Sequence, residues 1–210
     1  MRRFLSTTLA LALLGAGLAG CAPLLIGGAM VGGSLVATDR RTSGAQLEDE
    51  GIELRAVNRL HENLGERGHV NVTSYNRQVL LTGEVPSEQD KQLAGQVVTK
   101  VENVRAIVNE LGVMGTTSLA ARSSDVLITG RVRASLVDAR DLYANAFKVV
   151  SERGTVYLMG RVTQREAARA TEIARSTGGV QKVVRVMEII SEDELQRLLP
   201  QPAQPEKAQK

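Results

Sequence analysis

The side chains that could carry chemistry in this sequence are few, and most are badly placed for it. Cys21 is the single cysteine of the 210 residues. It cannot close a disulfide within the chain, and it stands where a run of apolar residues ends in small ones. The two histidines, His61 and His69, close a helical stripe and precede a strand. With no cysteine partner and no i, i+4 pairing they do not make a zinc site. Glu48, Asp49 and Glu50 lie in a polar stretch where solvation is the expected state. Gly83 and Gly160 belong to strand ends, but neither opens a phosphate-cradling loop of the G-x-G-x-x-G kind. The serines lack a basic partner in any motif spacing. These residues predict no enzyme, no metal and no cofactor, and they leave the Cys21 thiol as the one group with a use.

The residues around that thiol explain it. Arg2 and Arg3 form a basic start, and Leu5 to Leu18 is almost wholly apolar or small. That run is shorter than the roughly 20 residues a membrane span needs. A basic start, a short apolar run and small residues before a cut predict a secretory signal over residues 1–20. The stretch Leu18-Ala19-Gly20-Cys21 resembles the bacterial lipobox. The resemblance implies that Cys21 is lipidated, palmitate among its acyl chains, and becomes the first residue of the mature protein. Each buried CH₂ contributes about 0.8 kcal/mol, so several acyl chains hold where one does not. Ala22 rather than Asp follows the cysteine. By resemblance to lipoproteins of two-membraned bacteria, this implies an outer-membrane destination facing the periplasm. Leu24 to Val36 is apolar but broken by Gly27, Gly28, Gly32 and Gly33, which favours a flexible tether over a segment lying against lipid near the anchor. Asp39 to Asp49 is mixed and polar and reads as linker, so residues 21–47 are taken together as lipidated N-terminus and linker.

The net charge of +3 is unevenly spread. Residues 48–115 carry −4 and residues 120–191 carry +5, which turns the second half toward an anionic partner. Phe4, Tyr75, Tyr143, Phe147 and Tyr157 are the aromatics. So few stacking platforms argue against single-stranded nucleic acid as that partner. In an exported, lipid-anchored chain the expected partner is a phospholipid headgroup.

The elements that must position these charges come in two rounds. Leu54, Val57, Leu60 and Leu64 fall at spacings of three and four, which predicts a helix starting near Ile52. Val70 to Thr73 alternates as a strand, and Tyr75-Asn76-Arg77 turns into a second strand, Val79 to Val85. Ser87 with Asp90 three residues on marks a helix N-terminus. Val104 to Leu111 closes the unit as a third strand. Val79, Leu81, Gly83 and Val85 then recur as Val156, Leu158, Gly160 and Val162, displaced by 77. Past Pro86 the displacement is 76, carrying Ser87 and Asp90 to Thr163 and Glu166. This is an internal duplication of an α-β-β-α-β unit. The crossover between the second and third strands is expected to be parallel and right-handed. The predicted fold is therefore α+β: two tandem units, each a three-stranded mixed sheet with both helices on one face. The units span 48–115 and 122–191, joined by a hinge at 116–121. Glu192 to Leu199 extends as a short helix within a proline-rich tail, 192–210, expected to be disordered.

The unit, with its hairpin ending Leu-Thr-Gly-Glu-Val (81–85) or Leu-Met-Gly-Arg-Val (158–162), resembles the BON domain of bacterial envelope proteins. Two such units behind a lipobox, with the flank Ala37-Thr38-Asp39-Arg40-Arg41, resemble the dual-BON outer-membrane lipoproteins associated with cell division and outer-membrane stress. That resemblance implies a non-enzymatic protein that binds anionic phospholipid through the first helix of its second unit and supports outer-membrane integrity. In this sequence that helix is read over Ser124 to Asp138. Ile128, Val132 and Leu136 share its inward face. Val126 and Leu127, with Ala134, form the expected lipid-facing tip, ringed by Arg122, Arg131 and Arg133, as shallow insertion among anionic headgroups requires. The alternative is an envelope scaffold docking onto outer-membrane assembly or division proteins, with the acidic first unit as the protein-facing half.

Overall fold

The computed structural model describes residues 39–198. The expected signal sequence, Cys21, the expected tether and the tail from 199 lie outside the described residues. The first unit runs α1 (Ser43–Leu64), β1 (His69–Tyr75), β2 (Gln78–Val85), α2 (Glu88–Thr99), β3 (Ala106–Asn109) and β4 (Gly112–Val113). The second runs α3 (Leu119–Asp138), a 3-10 turn (Ala144–Ala146), β5 (Phe147–Glu152), β6 (Thr155–Thr163), α4 (Gln164–Ser176) and β7 (Lys182–Ile190), followed by α5 (Glu192–Leu198).

Both sheets have the expected order. β2 lies central, antiparallel to β1 and parallel to β3 and β4. β6 lies likewise between β5 and β7. The third strand differs between the copies: β7 pairs along all of β6, whereas β3 stops at Asn109 and pairing resumes at Gly112. The Asn109 side chain accepts the Leu111 amide and donates to the Lys91 carbonyl, and this fixes the break. The helix caps also hold. Thr163 and Glu166 form a complete reciprocal capping box, while Ser87 accepts the Asp90 amide.

The strand glycines have a steric origin. Gly83 pairs with Val70, and Gly160 with Phe147. A Cβ on Gly83 would lie 2.0 Å from the His69 carbonyl oxygen, and one on Gly160 would lie 2.4 Å from that of Ala146. No side chain fits between the crossing backbones at these points.

One face of each sheet carries both helices of its own unit. Ile52, Ala56, Leu60 and Leu64 of α1 meet Val79, Leu81 and Val85, with Ala94, Val97 and Val98 of α2 completing the first core. Ile128, Val132 and Leu136 of α3 meet Val156, Leu158 and Val162 in the second, with Ala167, Ala170 and Ala174 of α4. The other faces meet each other. Tyr75 and Leu80 of the first unit pack on Tyr157, Met159 and Val186 of the second. Every residue of β2 from Val79 to Val85 is therefore buried. Polar contacts frame this seam: Asn71 to Glu152 at 3.1 Å, Asn76 to Glu188 at 2.7 Å, Lys148 to Glu53 at 2.8 Å and Arg153 to Glu84 at 2.9 Å.

Two sequence expectations fail here. The stretch Asp39 to Asp49 is not linker, because α1 begins at Ser43, with Thr42 accepting the Ala45 amide as its cap. The inward stripe of α1 is spaced by four from Ile52 to Leu64. Leu54 and Val57 are exposed, since they sit off that stripe.

Candidate lipid-contacting face

α3 begins at Leu119, five residues before Ser124, because Ser118 accepts the Ala121 amide and caps an earlier first turn. Part of the expected hinge is therefore helical. The rest is tied down: the Thr117 hydroxyl donates to the buried Glu84 carboxylate. Asp125, Ile128, Val132 and Leu136 are the buried positions of α3. At 100° per residue, the helix side opposite them carries Ala134 and Leu127, with Leu119, Val126 and Val137 in one line beside these. Val126 is 71 % exposed, Leu127 61 %, Leu119 79 % and Val137 69 %. A helix packed on a sheet ordinarily turns charged residues outward. This one turns out aliphatic ones as well.

The cations sit unevenly around that strip. Arg131 and Arg133 are exposed, as expected. Arg131 reaches the Gly178 carbonyl at 3.3 Å, beside the Gly178-Gly179 turn that packs near Ile128. Arg122 is half-buried instead. It lines a cleft of about 300 Å³ with His69, Asn71, Asp125, Thr129 and Glu152, and its Nε is buried without a hydrogen-bond partner. Arg122 thus stands at the rim of the strip, where the first unit adjoins it, rather than in an outward ring. Glu152 in the same cleft has its carboxyl pushed up by burial and by the nearby Glu84 and Asp125 charges, against the Asn71 hydrogen bond.

α3 is held rigidly. Asp125 accepts the backbone amides of Arg153 and Gly154 at 2.8 and 2.9 Å, locking the helix to its hairpin turn. Asp49 does the same in the first unit, accepting the amides of Asn76 and Arg77 at 2.7 Å each and the Ser74 hydroxyl at 2.6 Å. Burial alone would raise the Asp49 carboxyl, but these donors and Arg41 hold it below the usual carboxylate range. Asp49 is therefore no solvated linker acid. The signal that finds it is the displacement of 76, which carries Asp49 onto Asp125 together with Ile52 onto Ile128.

A second missed feature precedes α1. Arg40 is buried and makes a bidentate pair with Glu166, 2.7 Å on each arm. It also donates to the Arg161 carbonyl at 3.0 Å. Burial works to raise the Glu166 carboxyl, but Arg40 and the Thr163 amide hold it low. Arg41 turns the other way. It reaches Asp49 at 2.8 Å, and its guanidinium lies 4.3 Å from the centre of the Tyr75 ring. Neighbouring arginines thus grip different units.

His61 and His69 line one shallow cleft of about 200 Å³ at the end of α1. Among the described residues no group of three His, Cys, Asp or Glu side chains is arranged to hold a metal ion, and no helix is long and apolar enough to cross a membrane.

Comparison with known proteins matches the BON domain to residues 48–115 and again to 124–191. The chain is 40 % identical over 176 residues to the outer membrane lipoprotein DolP of Haemophilus influenzae, covering 82 % of this chain and 90 % of that one. It is 32 % identical over 154 residues to a 21 kDa hemolysin of Actinobacillus pleuropneumoniae, covering 72 % and 79 %. A solved structure of CdsD, a type III secretion structural protein of Chlamydia trachomatis, aligns with 68 % of this chain and 96 % of its own at 11 % identity. Its TM-score is 0.27.

Proposed function

Since the chain belongs to the BON-domain family and is a dual-BON outer-membrane lipoprotein, we propose that it binds anionic phospholipid through α3 while acyl chains on Cys21 hold it to the periplasmic side of the outer membrane. In this role it contributes to outer-membrane integrity and to division, without catalysis. The observation that carries the reading is the exposed aliphatic strip of Leu119, Val126 and Val137 on the outward half of α3. Leu127 and Ala134 lie beside it and Arg131 and Arg133 flank it. Aliphatic side chains of this size reach the acyl boundary, and the guanidinium groups stay among headgroup phosphates. Each cation near an anionic surface contributes about 1 kcal/mol, screened by salt. The +5 charge of residues 120–191 draws the second unit toward such a surface.

A second reading has its own observation. α1 also turns apolar side chains outward, Leu47 at 71 % and Leu54 at 64 % exposed, with Val57 beside them. They lie on the acidic unit, which anionic lipid repels, so this stripe supports a protein-docking role for the first unit.

Flotation of a Cys21→Ser chain with vesicles separates the two. Binding that requires anionic lipid, weakens with salt and falls at least tenfold in Val126→Asp or Arg131→Glu supports lipid contact through α3. Binding indifferent to both substitutions, or lost instead in Leu54→Asp, rejects it.

A further inference from the structure

The Arg40–Glu166 pair answers a question that chain order leaves open, namely where the anchored segment joins the folded body. Covalently the anchor leads into α1 of the first unit. The structure assigns the joining point to the second unit, and we propose that Arg40 is a positioning residue that makes the membrane leash start on the same rigid body as the lipid-contacting helix α3. The inference rests on the lipid reading above.

The geometry is specific. Arg40 and Glu166 have side chains 3 % and 2 % exposed and form a two-armed pair. Such a pair fixes direction as well as distance. The Arg161 carbonyl takes a third bond from Arg40, and Arg161 donates back to the Arg40 carbonyl at 3.4 Å. Glu166 is itself immobilised, since it closes the capping box of α4 through the Thr163 amide at 2.9 Å. These partners stand at the end of β6 that pairs with the start of β5. β5 follows the 3-10 turn of Ala144–Ala146, which packs against α3. The chain therefore enters the body at the end of the second unit where α3 finishes. The next residue, Arg41, already belongs to the first unit through Asp49 and Tyr75.

The consequence is one of effective concentration. A chain running from Cys21 to Arg40 spans at most about 65 Å. Two membrane contacts on such a leash reinforce each other according to how closely the leash start and the second contact are held. With Arg40 docked, the leash and α3 share one body. With Arg40 released, the first held residues are Asp39 and Arg41, paired with each other at 2.8 Å and tied to the acidic unit through Asp49 and Tyr75.

The test uses the double variant Arg40→Met with Glu166→Gln, which removes both charges and keeps similar volumes. It leaves no buried charge unpaired, as a single substitution would. The glutamine side chain introduced by Glu166→Gln retains an oxygen for the Thr163 amide. Hydrogen exchange of residues 119–138 is followed on anionic vesicles in two backgrounds, the acylated full chain and the Cys21→Ser chain. The expected result is that the double variant exchanges at least threefold faster than the parent when acylated, and equally when not. A disturbance of the fold would instead affect both backgrounds alike, and that outcome overturns the proposal. Equal exchange in the acylated proteins also overturns it. If the acylated parent itself shows no protection of 119–138, the lipid reading falls and this inference falls with it.

Discussion

Asp125 accepts the amide of Gly154 at 2.9 Å, so that the helix proposed to meet lipid is bolted to the hairpin behind it. Asp49 bears the same relation to Arg77 at 2.7 Å. Hydrogen bonds to a charged acceptor contribute about 1.5–3 kcal/mol each at most, and orphaned buried amides add to the loss. Asp49→Ala is expected to lower stability by about 3 kcal/mol, measured by urea denaturation. Asp125→Asn is expected to cost less and to speed hydrogen exchange at residues 153–154 and along α3.

The strand glycines make a sharper prediction. A Cβ at Gly83 would meet the His69 carbonyl oxygen and one at Gly160 that of Ala146, both far inside contact distance, and Gly83 also has φ +108°. Gly83→Ala and Gly160→Ala are each expected to destabilise by roughly 3 kcal/mol or more, with Gly83→Ala the worse because strain adds to collision. Circular dichroism melts check this; a loss under about 1 kcal/mol at either site would mean the strands can separate locally at no cost.

Gly130 behaves in the opposite way. It lies inside α3, is exposed, and a Cβ there would meet nothing within 4 Å. Gly130→Ala is expected to stabilise the free protein by about 1 kcal/mol, the ordinary difference in helix propensity. Thermal denaturation measures it.

The pH dependence follows from opposing carboxylates. For Asp49, Glu84 and Glu166 burial works upward, yet their hydrogen bonds and arginine partners hold all three below the ordinary range. The unfolded chain then takes up their protons first as pH falls. Their stabilisation is present above the unfolded values, about 4, and is lost as pH falls through the folded ones. Glu152 has the other sign. Burial and the charges of Glu84 and Asp125 raise it, so its carboxylate opposes folding at neutral pH. That opposition is relieved as pH falls through its raised folded value. Glu152→Gln is expected to be more stable than the parent at about pH 7, with the advantage disappearing toward about pH 4, in denaturation curves taken across that range.

Much of this was legible in the residues. The hairpins and the outward placement of Val126 and Leu127 follow from local pattern, because each depends on neighbours in sequence; the duplication follows from matches 77 and 76 residues apart, and the parallel third strand from the handedness of the crossover. What local pattern misses is set by contacts distant along the chain. Asp49 reads as a solvated acid until the hairpin amides of Asn76 and Arg77 are brought to it. Arg40 reads as linker because its partner lies 126 residues away. Leu80 and Tyr157 alternate with residues facing the helices, and nothing nearby says that their own side of the sheet meets another sheet. Arg122 was expected to flank the strip in the open; the approach of Asn71 and Glu152 half-buries it.

The most direct test of the central claim asks which helix touches the bilayer. In a Cys21→Ser chain, single cysteines replace Val126 on α3 or Val57 on α1 and carry an environment-sensitive fluorophore, with anionic vesicles containing a quencher in the upper acyl region. The account predicts a blue shift and strong quenching at position 126, little change at 57, and loss of both effects when the anionic lipid is replaced by zwitterionic lipid. Quenching at 57 with none at 126, or equal quenching without anionic lipid, would contradict it.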